Sequence, residues 1–282
     1  MTALIASASG WNRSAVSGIP KIVHQTWKGC ASSLPSKQAR WREGCMRVNP
    51  GWSFWLWNDE DNRRLIADHY PSFLKMYDSY DVKMKRVDAA RLFYLHRFGG
   101  IYMDLDFACL RSFEELPMPS HDAVFSHQYA NTAAKDPRAG VAGTIANNFM
   151  VAAPGHPFFA YAIHKLPTKA DRSLLFATGP NFLSRIISEY QDVIRKQLGT
   201  IPAHVTVYKM PKVYATGWKG KNPCESGLPE EVERCSAASK ASNGSILATF
   251  WTQTWKNNPD SMTIHDAKRT ARNSTMEAER TS

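Results

Sequence analysis

Apolar positions along this chain follow two rhythms, and the changes from one to the other predict its elements. IPKIVHQTW (19–27) is a short apolar run broken only by Lys21 and closed by polar residues, which predicts a strand. From Pro35 to Val48 the residues Ala39, Trp41, Cys45 and Val48 mark one face of a helix, broken by Asn49-Pro50-Gly51. WSFWLW (52–57) predicts an aromatic-rich strand, and Asp59 opens an acid-capped helix that runs to about Tyr70, before Pro71. KMKRVDAARLFYLHRF (83–98) carries Val87, Ala90, Leu92, Phe93, Leu95 and Phe98 at helical spacings and stops at Gly99.

IYM follows as a strand, with further strands predicted at 122–127, 148–153, 204–209 and 246–251 and a long helix at 180–198. Residues 219–244 read as a polar loop, and beyond about Asp260 the chain is a polar tail. Strands alternating with helices predict an α/β fold with a central, mostly parallel sheet.

Composition changes this picture little. The 282 residues are 43% apolar and 21% charged, which suits a globular α/β domain with a real core. Lys plus Arg number 35 against 25 Asp plus Glu, a net charge of +10 that favours an anionic partner. No RNA- or DNA-binding motif accompanies the surplus, so nucleic acid is not the expected partner. No run of 18 or more apolar residues occurs. The N-terminus MTALIASASGW lacks the basic and long apolar regions of a signal peptide.

The five cysteines form no CxxC or zinc spacing; Cys109 reads as a buried thiol, while Cys224 and Cys235 flank a polar loop and could pair in an oxidising compartment. Asn12, Asn243 and Asn273 fit the N-glycosylation triplet, a pattern that also arises by chance.

The chemistry concentrates in IYMDLDFACL (101–110). Asp104 and Asp106 stand just past a strand end, where parallel α/β sheets bind ligands. Two carboxylates so close repel unless a cation or a donor-rich ligand lies between them, and Mg²⁺ or Mn²⁺ with substrate phosphates meets that need. A bare D-x-D is common and often only structural. Upstream, Asp88 and Arg91 share a helix face, either as an intrahelical ion pair or as contacts for sugar hydroxyls and a phosphate.

Together, VDAARLFYLHRFGGIYMDLD resembles the signature of the DXD-containing sugar transferases related to yeast-type α-1,6-mannosyltransferases and inositol phosphoceramide mannosyltransferases. It is similar also to the glucosyltransferase domains of large clostridial toxins. IPKIVHQTW, NPGWSFWLWND, NNFMVAAPGHPFF and TGP (178–180) match further blocks of the family in order, so the resemblance covers roughly 19–256.

The resemblance implies a GT-A type Rossmann-like domain over 19–256, with a nucleotide-sugar half at 19–110 and an acceptor half at 111–256. Residues 1–18 form an extension and 257–282 a polar tail. It implies a metal-dependent, retaining transfer of a hexose from a nucleotide sugar to a glycan or glycolipid hydroxyl. GDP-mannose is the first choice of donor, followed by a UDP-hexose carrying glucose or galactose. Trp27 would stack on the base, Tyr102 would lie by the ribose, and Asp88 and Arg91 would hold the donor sugar. Asp104 would meet the ribose and a metal-bound water, Asp106 would ligate Mn²⁺ or Mg²⁺, and Asn147 would approach the sugar.

One departure stands out. Where the family has a His shortly before Trp and then Ser-Trp, this chain reads ATFWTQTW, placing Thr249 at the His position and Thr254-Trp255 at Ser-Trp. Thr254 is then the candidate third ligand and Trp255 a nucleotide contact, while His265 is expected to be a solvated tail residue. The substitution supports, as an alternative, a weak or inactive nucleotide-sugar-binding homologue. A haloacid-dehalogenase-type phosphatase fits less well, because Ala108 stands where that motif has Thr or Val.

His24 and the Trp52-Trp55-Trp57 strand read as core. Peripheral membrane contact is compatible with the chain. The compartment is the Golgi or secretory lumen if an anchor is missing from this chain, and otherwise the cytoplasm.

Overall fold

The structure is a computed structural model that describes residues 18–120, 122–128, 144–198, 204–209, 213, 228–241, 244–250 and 252. The expected start survives, and the structure adds a helix at Pro71–Asp78 that the sequence pattern did not predict. β1 (Ile22–Thr26) leads to α1 (Ser36–Val48), β2 (Ser53–Trp57), α2 (Asp59–His69), α3 (Pro71–Asp78) and α4 (Lys83–Phe98). β3 (Gly100–Met103) follows at once, then the short β4 (Phe107–Cys109).

β5 (Ala123–His127), β6 (Ile145–Ala152), α5 (Pro157–Lys165), α6 (Leu174–Ala177), α7 (Pro180–Leu198), β7 (Val205–Tyr208), α8 (Pro229–Ala241) and β8 (Leu247–Thr249) complete the order. The start of α2 is fixed locally: the Asn58 side chain accepts from Asp61 N at 2.9 Å and the Asp61 carboxylate accepts from Asn58 N at 3.2 Å.

Six strands form one sheet in the order β2-β1-β3-β6-β5-β7, and β4 pairs with β8 in a separate two-stranded ribbon. β1 runs parallel to β2 and β3, and β5 parallel to β7. β6 is antiparallel to both its neighbours, so the mostly parallel sheet of the expected α/β class contains one reversed strand. Alternation along β3 sends Tyr102 to one face and Ile101 and Met103 to the other. Tyr102 joins Phe93, Tyr94, Met150 and Phe158 in the core beneath α4, α5 and α7. Ile101 and Met103 join Val23, Phe107, Phe149 and Val151 in a second core on the side of β4 and β8.

Gly99 and Gly100 do more than stop a helix. Both have positive φ, 66° and 91°. A Cβ on Gly100 would lie 2.4 Å from the Ile22 carbonyl oxygen, and one on Gly99 would lie 2.6 Å from Pro154 N. The pair lets β3 leave α4 in a sharp turn and dock against β1, which sets where the following carboxylates emerge.

Two expectations are corrected. Cys109 is not a thiol: it is bonded to Cys45, 64 residues away, with Cα atoms 4.8 Å apart. Packing of α1 on β4 brings the two sulfurs together, a proximity that spacing along the chain does not reveal. Part of the stretch read as loop, 229–241, is the helix α8. Its Pro229 and the acids Glu230 and Glu231 in the first turn suit a helix start, and Lys240 suits the end.

His24 is core, as read. It is fully buried; Trp57 Nε1 donates to its Nδ1 at 3.1 Å and its Nε2 donates to the Gly99 carbonyl at 2.9 Å. Burial pushes its pKa down to about 4, the Gly99 bond opposing. Trp55, though it packs edge-on to His24, keeps 37% of its surface exposed.

Candidate active site

The helical period of α4 places Asp88 and Arg91 on the face that meets the end of β3. Both are buried, at 6% and 3% exposure. Arg91 Nη2 lies 3.0 Å from Asp88 Oδ1 and 3.3 Å from Asp104 Oδ1, and Arg91 Nη1 donates to the Asn147 carbonyl at 2.8 Å. The two readings of Asp88 and Arg91 are thus compatible: the ion pair exists, and it is shared with the first aspartate of the D-x-D. Tyr102 completes the floor, its hydroxyl donating to Asp104 Oδ1 at 2.6 Å and its ring lying 4.7 Å from the Arg91 guanidinium.

Strand pairing delivers the other side. The Tyr102–Met150 and Met103–Phe149 register of β3 with β6 brings Asn148 opposite Asp104, whose N–H donates to the Asn148 carbonyl at 2.9 Å. Asp106 lies in the turn before β4, and residues beyond β8 fold onto it. Phe250 N donates to the Asp106 carbonyl at 3.0 Å; Thr252 N and Oγ1 donate to Asp106 Oδ2 at 2.9 and 3.2 Å.

The electrostatics follow from burial with one cation for three acids. Burial pushes Asp88 up to about 6; Arg91 opposes the rise and Asp104 adds to it. Asp106 is also pushed up to about 6, first by burial and then by the neighbouring Asp104. Asp104 is raised by burial, with Arg91 and the Tyr102 hydroxyl pulling it back. Burial acts to lower Arg91, but the charges of Asp104 and Asp88 outweigh it and hold the guanidinium firmly charged.

Polar atoms here are left without partners. Arg91 Nε, Asp106 Oδ1, Asn147 Nδ2, both side-chain polar atoms of Asn148, and Thr178 Oγ1 are buried and make no hydrogen bond. Each such atom costs about 1–3 kcal/mol, so a cluster of them is built for a ligand that brings donors and acceptors.

Asp88, Arg91, Tyr102, Asp104, Asp106 and Asn147 therefore converge as the sequence suggested. Trp27 stands half-buried just beyond β1, with Nε1 donating to Ser33 Oγ at 3.1 Å and Lys28 Nζ 5.9 Å from the ring. Thr254, Trp255 and His265 lie outside the described residues.

Thr249 is fully buried opposite Phe107, one residue from Asp106, so a larger imidazole there would have to displace packed neighbours. Sequence reading missed Thr252, Asn148 and Thr178. Asn148 and Thr178 do lie in the blocks NNFMVAAPGHPFF and TGP, but the resemblance gives neither of them a role.

A divalent cation fits this donor set only in part. Asp106 Oδ1 is a buried carboxylate oxygen without a partner. Among the described residues no group of three His, Cys, Asp or Glu side chains could hold a metal ion. Such an ion would rest on Asp106, with Asp104 beside it, and take its other oxygens from a bound ligand and water.

Residues 35–124 match the family described as a glycosyltransferase sugar-binding region containing a DXD motif. The chain is similar to inositol phosphoceramide mannosyltransferase 3 of Schizosaccharomyces pombe, 37% identical over 179 residues, 61% of this chain and 46% of that protein. It is similar also to a mannosyl phosphorylinositol ceramide synthase of Saccharomyces cerevisiae, 32% identical over 203 residues, 68% of this chain and 48% of that one.

The chain spans about half the length of these curated relatives. Among solved structures, PaToxG glycosyltransferase aligns with a TM-score of 0.47 at 16% identity, over 70% of this chain and 77% of that one. The resemblance read from VDAARLFYLHRFGGIYMDLD is borne out.

Proposed function

We propose that this chain, which carries the DXD sugar-binding region, is a metal-dependent retaining glycosyltransferase that moves a hexose from a nucleotide sugar to an acceptor hydroxyl. Mannose from GDP-mannose is the first choice, with glucose or galactose from a UDP-sugar next. The acceptor is a glycan or glycolipid; the names of the relatives favour an inositol phosphoceramide-type lipid, and the net charge of +10 suits its anionic headgroup.

The observation that carries this reading is the set of unpartnered buried polar atoms around Asp88, Arg91, Asp104 and Asp106. In it, the Asp88 carboxylate accepts from sugar hydroxyls while Arg91 keeps it charged and oriented. Asn147 Nδ2 donates to the sugar, Tyr102 and Asp104 border the ribose, and Trp27 stacks on the base. Asp106 Oδ1, with Asp104 beside it, holds Mn²⁺ or Mg²⁺, and Thr252 fixes the other Asp106 oxygen. A divalent ion bound there supplies positive charge to the diphosphate leaving group.

The Cys45–Cys109 disulfide and a further disulfide at Cys235 favour an oxidising compartment such as the secretory lumen. No helix among the described residues is long and apolar enough to cross a membrane.

A screen of GDP-mannose, UDP-glucose and UDP-galactose with Mn²⁺, following hydrolysis, transfer to inositol phosphoceramide and binding, tests the proposal; NMR of the product anomer tests retention. Binding without any turnover would favour the weak or inactive homologue, the reading that Thr249 in place of the family His supports. No binding of any nucleotide sugar would reject both.

A further inference from the structure

Thr178 carries a buried hydroxyl that completes no hydrogen bond within the fold. It is 3% exposed, and its Oγ1 makes no hydrogen bond. Its backbone N–H is engaged: as the residue closing α6, Thr178 donates to the Leu174 carbonyl at 3.2 Å, and Gly179 N donates to the same oxygen at 3.1 Å. Gly179 is packed so closely that a Cβ there would sit 3.0 Å from Leu175 Cα. Pro180 then starts α7. The Thr-Gly-Pro break thus fixes the Thr178 side chain against α4, on which α6 packs.

What it faces is the Asp88 carboxylate. The Thr178 hydroxyl lies near enough to Asp88 to favour its charged form, as does Asn147 Nδ2, yet neither completes a hydrogen bond of good geometry. The carboxylate is committed to Arg91 through Oδ1 at 3.0 Å. Asp88 is therefore flanked by two unpartnered side chains, one from β6 and one from the α6–α7 break. A hydroxyl both donates and accepts, so it can complement a ligand hydroxyl whose proton goes to a carboxylate. Sites built to pair a substrate hydroxyl reject analogues that cannot make the pair, because the buried group is then left unsatisfied.

We propose that Thr178 is a specificity-determining residue of the donor-sugar site, binding a hexose hydroxyl adjacent to the one held by Asp88. The inference rests on reading the site as a nucleotide-sugar site and adds to it the group that reads the sugar ring. Because the α6–α7 break holds the hydroxyl in a fixed place, the residue discriminates between hexoses that differ at one carbon.

Calorimetry separates the two levels. Wild type, Thr178→Val, Thr178→Ala and Thr178→Ser are titrated with Mn²⁺ and GDP, then GDP-mannose and GDP-glucose, and with the UDP series of UDP, UDP-glucose and UDP-galactose. Thr178→Val and Thr178→Ala are expected to bind the bare diphosphate as wild type does. Their binding of the preferred nucleotide sugar should weaken by about 10- to 100-fold, with a reduced preference between epimers. Thr178→Ser should recover most of both.

The inference is overturned if the Val and Ala variants keep wild-type sugar affinity and preference. It is overturned too if diphosphate and sugar binding fall in parallel, if Ser gives no recovery, or if none of the three variants folds. A wild-type protein that binds no nucleoside diphosphate overturns the nucleotide-sugar reading itself, an outcome distinct from all of these.

Discussion

Arg91 reaches from the middle of α4 to within 3.3 Å of Asp104, joining a helix face to the turn beyond a strand. The contact ties Asp88-x-x-Arg91 to the D-x-D motif, two pieces that the sequence holds 16 residues apart from Asp88 to Asp104. With one buried cation serving Asp88 and Asp104, and Asp106 outside its reach, the site has surplus negative charge that a cation and a ligand would relieve.

Asp106→Ala should abolish turnover while leaving the protein folded. Loss of a metal-holding oxygen removes stabilisation of the leaving diphosphate, an effect of several kcal/mol. Near-normal turnover in a folded variant would remove Asp106 from the site.

The same residue gives a pH signature in the metal-free protein. The folded pKa of Asp106 is raised to about 6 from 3.8, so its contribution is present in full below about pH 3.8 and lost as pH rises through 6. Asp106→Asn should therefore stabilise the fold relative to wild type above pH 6, by on the order of 1–2 kcal/mol given its partial exposure and read as a raised Tm, with no gain near pH 4. Buried His24 and half-buried His96, both held near 4, act oppositely between pH 6.5 and 4, so the readout is the difference between variant and wild type. A pH-independent difference would show that Asp106 is not held in an unfavourable charged state.

Trp27→Ala should weaken nucleotide binding by roughly 1–3 kcal/mol, the range for base stacking, with little change in Tm because Trp27 is only half-buried. Melts with and without nucleotide check both parts. Unchanged affinity in a well-folded variant rejects stacking.

Metal binding should depend on nucleotide. With Asp106 Oδ2 engaged by Thr252 and only Oδ1 unpartnered, Mn²⁺ should bind the apo protein negligibly and bind clearly once a nucleoside diphosphate is added. Thr252→Val should weaken the Mn²⁺ affinity of the nucleotide complex several-fold. Calorimetric titration reads both; tight stoichiometric binding to the apo protein would point to a protein ligand beyond these, with His265 the first to replace.

Reduction of Cys45–Cys109 should lower stability by up to about 4 kcal/mol, the loop-closure value for a separation of 64 residues. Because Cys109 follows Asp106 by three residues, the reduced protein should also bind Mn²⁺ and nucleotide more weakly. Melts and titrations of wild type and of the Cys45→Ser/Cys109→Ser variant measure this, since reductant would also open the disulfide at Cys235. An unchanged Tm would show that α1 and β4 stay docked without the bond.

Local physics wrote much of this protein into its sequence. The helical period of 83–98, the Gly-Gly stop and the D-x-D beyond a strand are short-range patterns, so α4, β3 and the placing of Asp88, Arg91, Asp104 and Asp106 could be read directly. What the sequence could not show depends on partners far apart in the chain. The reversal of β6, which brings Asn148 against Asp104, is set by sheet pairing. Cys45 meets Cys109 only because α1 packs on β4, and Thr252 finds Asp106 across 146 residues. Thr178 gains meaning only when α6 docks on α4 and leaves its hydroxyl buried beside Asp88. Backbone periodicity and capping act over a few residues, whereas burial, pairing and unpaired polar atoms exist only once distant segments have excluded water together.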